Sequence, residues 1–167
     1  FAAALKYILR QDPDVILIGE MRDMDTVSAA LTAAETGHLV LATLHSNDAM
    51  QSIDRVVDIF PTHQQGQARA QLAAGLLGVV SQRLLPRKDD KGRIGAFEVM
   101  VGTPAIRNLI RENKMHQARS LLETGKSHGM ITMDQVIADL YRASKIHYED
   151  AMRYITNPSL LGDPKAR

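Results

Sequence analysis

Two apolar runs, VILIG over residues 15–19 and LVLATLH over residues 39–45, flank a stretch with helical spacing, and this strand, helix, strand order leaves few folds open. Both runs favour β-branched and aliphatic side chains and are too short for buried helices, so each reads as a strand. Between them, DMDTVSAALTAAETG opens on the capping-type aspartates Asp23 and Asp25, repeats apolar side chains at Val27, Ala30, Leu31 and Ala34, and closes on Gly37. A unit of about thirty residues in this order is the pattern of a parallel βαβ crossover. Its strands are expected to be buried on both faces, with helices packed above and below.

The flanking segments supply those helices. FAAALKYILR, at the start, has helical spacing, and its first residue, Phe1, reads as the start of a piece of something longer. In QDPD, Pro13 breaks that pattern and biases Asp12 toward extended geometry. SNDAMQSIDRVVDIF offers Ser46, Asn47 or Asp48 as a cap and ends at Pro61, and QARAQLAAGLLG reads as a weaker, glycine-containing helix. VVSQRLL and IGAFEVM then read as strands joined in a hairpin through RKDDKGR. Past Gly102 only helices are expected: TPAIRNLIREN, with Thr103 as cap and Pro104 at the first position; HQARSLLETG; TMDQVIADLYRAS, with a Thr132 to Gln135 capping-box spacing; and YEDAMRYI. The fold class is therefore α/β, with a parallel-sheet portion over residues 1–101 and a helical tail over residues 102–167.

Charge and composition exclude several partners. The net charge of +1, from 20 basic and 19 acidic residues, offers no bulk attraction to nucleic acid or anionic lipid. No cysteine is present, so disulfides and thiolate metal sites are ruled out, in keeping with a cytoplasmic protein. The apolar runs fall well short of the ~20 residues of a membrane helix, so no membrane insertion is expected.

Chemistry is expected where open parallel sheets bind ligands, beyond the carboxyl ends of the strands. Glu20 follows the first strand and His45 ends the second, so both should face one crevice. A carboxylate there can hold hydrated Mg²⁺ or orient a water, and an imidazole beside it can sense phosphoryl oxygens. Each has a plainer reading as a turn or cap residue, and His38, just after Gly37, is well placed to meet helix carbonyls. His63, His116, His128 and His147 show no paired metal-ligand spacing. Ser46 follows His45 outside any G-x-S-x-G elbow.

RQDPDVILIGEMRD, TGHLVLATLHSNDA, QRLLPR and AIRNLIRE, in that order, closely resemble the motifs of the type IV pilus retraction ATPases, within the secretion ATPase superfamily. The resemblance covers essentially the whole chain, and AIRNLIRE marks the retraction motors as against assembly or secretion motors. It implies a RecA-like domain portion from a ring of six identical subunits that hydrolyses ATP with Mg²⁺ to power pilus retraction and twitching motility. Glu20 would be the Walker B glutamate, acting on Mg²⁺ through water, with His38 and His45 as the catalytic His-box pair, near the γ-phosphate or the subunit contact, and Arg83 beside the nucleotide. The helix carrying Ala105, Ile106, Arg107, Asn108, Leu109, Ile110, Arg111 and Glu112 would serve retraction more than hydrolysis. Such a motor works in the cytoplasm, peripherally at the inner-membrane base of the pilus, against a platform protein and, indirectly, pilin.

The chain also departs from the family pattern. It contains no G-x-x-x-x-G-K-[ST] phosphate loop, GKS at residues 125–127 lacks the preceding strand and glycine spacing, and the family's aspartate box is missing. This segment alone is therefore expected not to hydrolyse ATP. His147 stands where a Ser or Thr cap is usual, which predicts a weaker start to the last helix. Two other readings are a non-catalytic α/β assembly module and a sister ATPase of pilus extension or type II secretion.

Overall fold

The computed structural model describes Tyr7 and residues 11–162. The helix expected over FAAALKYILR lies outside the described residues, except for Tyr7, which is helical. The chain packs as two compact units, residues 1–77 with 102–118 and residues 78–101 with 119–167.

In the first unit, β1 (Val15–Ile18) and β2 (Leu39–Ala42) pair in parallel, with Val15 opposite Leu39 and Ile18 opposite Ala42. The crossover is α1 (Met24–Glu35), as the alternation of apolar segments requires. Asp23 starts it, accepting the Thr26 amide at 2.8 Å, and Gly37 leaves it with a φ of +100°, a conformation that costs glycine little. Ile16 and Ile18 bury against Ala30 and Ala33 of α1. The opposite side of the sheet differs from the sequence expectation, because Val15, Leu17, Leu39 and Leu41 are exposed and, among the described residues, helices cover only one face. An unbroken apolar run tells how much surface is apolar, not which of its two faces the described elements cover. Asp12 also departs from the pre-proline bias, since its φ of +50° is left-handed, a region that aspartate enters more easily than most side chains.

Among the described residues this unit also holds three α-helices, α2 (Ala49–Asp58), α3 (Thr62–Gly75) and α4 (Pro104–Arg111), and a 3₁₀ turn at Met115–Gln117. Asp48 is the cap chosen for α2, accepting the Gln51 amide at 2.8 Å. α3 begins well before the segment expected from the sequence, directly after Pro61, and carries Gly66 within it. Thr103 caps α4, whose fully buried Ile106 and Ile110 form its inner stripe against α3. Gly102, just before this cap, has no room for a side chain: a Cβ there would lie 2.2 Å from the Leu76 carbonyl oxygen.

The second unit is built on the antiparallel hairpin of β3 (Gly78–Pro86) and β4 (Arg93–Val101), which pairs with neither β1 nor β2. Its helices are α5 (Ala118–Thr124, from Arg119 onward), α6 (Met133–Arg142) and α7 (Tyr148–Tyr154), with short 3₁₀ turns at Gly125–His128 and Pro158–Leu161. Leu85 and Ala96 of the hairpin share one core with Ile137, Ile146, Ala151 and Leu161. The capping box of α6 forms as its spacing predicts, and the buried Glu98 carboxylate accepts the Met133 amide at 3.1 Å, fixing the helix start to β4. Asp134, also buried, accepts Arg119 Nη2 at 2.9 Å and the Thr156 and Asn157 amides at 2.8 and 3.0 Å. α5 continues into a 3₁₀ turn past Gly125, and the left-handed residue that ends it is Gly129, with a φ of +79°. α7 starts at His147 without a side-chain cap.

Packing thus groups the chain differently from the order of its elements. The hairpin joins the last helices because Leu85 and Ala96 complete their core, while α4 joins the parallel sheet's unit through Ile106 and Ile110. Among the described residues, no helix is long and apolar enough to cross a membrane.

Candidate functional site

β1 and β2 stop at Ile18 and Ala42, yet their pairing carries on into the loops beyond. The Met21 amide donates to the Thr43 carbonyl at 3.1 Å, and the Thr43 hydroxyl donates to the Gly19 carbonyl. These cross-links leave Glu20 between two tethered neighbours at the carboxyl end of the sheet. His45, two residues past Thr43, brings Nε2 to 3.2 Å from Glu20 Oε1. The acid and the imidazole therefore meet at one strand end, with side chains 23% and 77% exposed, respectively.

Two arginines complete this cluster, and neither stood out in the sequence. Arg22 Nη2 lies 2.5 Å from the other Glu20 oxygen, Oε2. Arg55, on α2, donates Nη1 to the His45 carbonyl at 2.8 Å. The hydrogen bond from Arg22 holds the Glu20 carboxyl below its ordinary value of 4.5, against the upward pull of partial burial, and the charges of Arg22, His45 and Arg55 add to the lowering. Glu20 is thus an ionised acceptor near neutral pH, in surroundings of positive charge. The spacing of Arg22, two residues after the strand-end acid in a turn, was the one local signal for it; Arg55 is linked to the site only through the fold.

His38 is not part of this group. It precedes β2, at the amino end of the sheet, where Nδ1 lies 3.1 Å from the Ala33 carbonyl and 3.1 Å from Thr36 Oγ1. At about 3.3 Å per residue, the extended run from His38 to Thr43 spans about 16 Å, so the two histidines occupy opposite ends of one strand. Arg83 belongs to the second unit, on β3, with its guanidinium carbon 5.9 Å from the Tyr154 ring centroid.

Ala105 to Glu112 form α4 and its cap. Within this segment, Arg107 turns back instead of outward: Nε donates to the Gly102 carbonyl at 2.7 Å, Nη1 to Ala74 at 3.0 Å and Nη2 to Leu76 at 2.9 Å. It thereby satisfies carbonyls left open at the end of α3. Asn108 and Lys114 each donate to Glu112 at 2.8 Å, and Lys114 is the main reason that the Glu112 carboxyl is held low. Ala105, Asn108 and Arg111 are exposed, and Leu109 is half-buried.

Among the described residues no group of three or more acidic or histidine side chains converges as a metal cage. Both Glu20 oxygens already face cationic or imidazole nitrogen, which suits a carboxylate that reaches Mg²⁺ through water; hydrated Mg²⁺ needs only one or two protein carboxylates.

Comparison with known proteins gives this arrangement a context. Residues 1–153 match the model of the family described as type II/IV secretion system protein. The chain is 50% identical over 157 residues to a twitching motility protein of Neisseria gonorrhoeae, covering 94% of this chain and 42% of that protein. It is 51% identical over 151 residues to the type IV pilus retractation ATPase PilT of Pseudomonas aeruginosa, covering 90% of this chain and 44% of that one. It superposes with a TM-score of 0.84, at 51% identity, on a crystal structure of the pilus retraction motor PilT with bound ADP, over 95% of this chain and 44% of that one. The chain therefore spans less than half the length of these relatives. With a family match over most of its residues and an α/β fold shared with the motor structure, the chain belongs to the type II/IV secretion system protein family.

Proposed function

We propose that this chain is part of a hexameric motor ATPase that hydrolyses ATP to drive retraction of a type IV pilus. The observation that carries the reading is the 3.2 Å approach of His45 Nε2 to Glu20 Oε1 at the carboxyl end of paired parallel strands. Bound Mg²⁺ and nucleotide would supply the charged phosphoryl group and its metal; the chain's own residues position and polarise. Glu20, kept ionised by Arg22, would accept a hydrogen bond from a water and orient it. His45, exposed beside it, can donate to a phosphoryl oxygen as negative charge shifts there, the kind of stabilisation on which phosphoryl transfer mainly depends.

In this reading residues 1–101 supply part of the nucleotide-handling domain, and residues 102–167 carry the retraction segment, a division of labour that cuts across the packing units. His38, at the far end of β2, serves a subunit contact or a second nucleotide contact, and Arg83 a nucleotide contact. The exposed side of Ala105 to Glu112 couples hydrolysis to retraction. The partners are five further copies of the subunit, an inner-membrane platform protein and, through it, pilin. The place of action is the cytoplasmic side of the pilus base. The names of the relatives, a retraction ATPase and a twitching motility protein, support this reading.

The test is Glu20→Ala in the full-length protein. Steady-state hydrolysis should fall by at least about 100-fold while ATP binding, read by a fluorescent analogue, stays within about threefold. Hydrolysis at the wild-type rate would remove Glu20 from the reaction and favour a non-catalytic assembly role.

A further inference from the structure

The His45 side chain is largely exposed, and among the described residues its imidazole makes its polar contact with Glu20. An open loop residue with such sparse contacts would sample several positions unless its backbone were fixed from another direction. That fixing comes from α2. Arg55 Nη1 donates to the His45 carbonyl at 2.8 Å, a charge-assisted bond. One residue on, Ser46 Oγ lies 2.6 Å from Ser52 Oγ, and Ser52 Oγ donates to the Asp48 carbonyl at 2.9 Å. The single hydroxyl proton of Ser52 is committed to Asp48, so Ser46 is the donor to Ser52. Ile53, Val56 and Val57, all buried, hold α2 in its unit, so the tether rests on a rigid support.

We infer that Arg55 is a positioning residue, which sets the distance between His45 and Glu20 by holding the loop of residues 43–48 to α2. The guanidinium acts on the backbone of His45 and does so from the helix, without being part of the acid and imidazole pair. Removing it leaves the Thr43 cross-links on one side and the neutral Ser46–Ser52 bond alone on the other, without the charge-assisted tie to the backbone of His45 itself. The consequence for turnover rests on the ATPase reading above; the placement of the loop does not.

Two measurements on the full-length protein separate these matters. The first, without nucleotide, is the rate at which diethyl pyrocarbonate modifies His45, followed by mass spectrometry of its peptide. Arg55→Met should raise this rate about fivefold as the loop loosens, and Arg55→Lys, which keeps a charged donor, should return it close to wild type. The second is steady-state hydrolysis. Arg55→Met should lower kcat about tenfold with KM unchanged, Arg55→Lys should recover most of it, and Arg55→Met combined with His45→Ala should be no slower than His45→Ala alone. An unchanged modification rate in Arg55→Met overturns the inference. So do losses that multiply in the double variant together with a raised KM, the signature of an arginine that contacts the nucleotide itself. If modification is faster in Arg55→Met while both that variant and Glu20→Ala hydrolyse ATP at the wild-type rate, the positioning of the loop stands and the ATPase reading of the site falls.

Discussion

Replacing Arg107 by alanine should loosen the end of α3 and the turn before α4 together. The guanidinium donates to three carbonyls, Gly102 at 2.7 Å, Leu76 at 2.9 Å and Ala74 at 3.0 Å. A hydrogen bond with a charged partner contributes about 1.5–3 kcal/mol when its geometry is good. The three share one side chain, and water can reach part of the region once it leaves, so their losses overlap and the total is about 3 kcal/mol. Expressed as local opening, that is about a 100-fold rise in exchange. Hydrogen exchange of the Leu76 and Gly102 amides, in the full-length protein, reads it directly, since these donate to Leu72 and Leu77 across the region that Arg107 ties. Arg107→Lys should recover only part of the protection, because one ammonium cannot span the three acceptors in a fixed fork. Arg111→Ala, at an exposed position of the same helix, should change exchange by no more than about twofold. Exchange in Arg107→Ala within about threefold of wild type would refute the reasoning. The outcome also decides how a retraction assay is read: a defect in Arg107→Ala includes a fault in the fold, whereas Arg111→Ala isolates the outer face of the segment.

Asp134→Ala should free the chain after α7, since the buried carboxylate holds the Thr156 and Asn157 amides along with Arg119; exchange at those two amides should rise by about 100-fold, and Asp134→Asn, which keeps an acceptor, should do less. Protection unchanged in Asp134→Ala would mean that other contacts hold the segment. The acid side of the pH–rate profile gives a prediction with a definite sign. Glu20 is held below its ordinary value, chiefly by the Arg22 hydrogen bond, so the interaction is present above the ordinary carboxylate value and is lost as pH falls through the lowered one. Arg22→Met should therefore move the acid-side loss of hydrolysis to higher pH, and an acid limb that does not move would separate that limb from Glu20.

Much of this architecture was legible in the residues because it depends on local spacing. The strand, helix, strand unit, the caps at Asp23, Thr103 and Thr132 and the left-handed Gly37 all follow from short patterns. The meeting of Glu20 and His45 was legible too, as a consequence of parallel pairing. What lay beyond local reading was partnership across the chain. The hairpin's membership of the helical core depends on Leu85 and Ala96 meeting Ile137, and nothing near residues 78–101 announces that. Arg107 sits in an amphipathic stripe that fits simple packing or a functional surface equally well; its carbonyl contacts arise only because α3 happens to end beside it. The separation of His38 from His45 follows from plain strand length, which two histidines in one short motif tend to hide.

The uncovered side of the small parallel sheet has a practical consequence. Val15 stands opposite Leu39 and Leu17 opposite Leu41, so four aliphatic side chains form two adjoining rungs open to water. In this chain taken by itself, such a ladder invites other copies to stack on it and limits the concentration at which it stays dispersed. When this chain is prepared by itself, Leu17 and Leu41, 74% and 50% exposed, are the places where lysine or glutamate can raise its solubility while the isoleucines beneath keep their contact with α1.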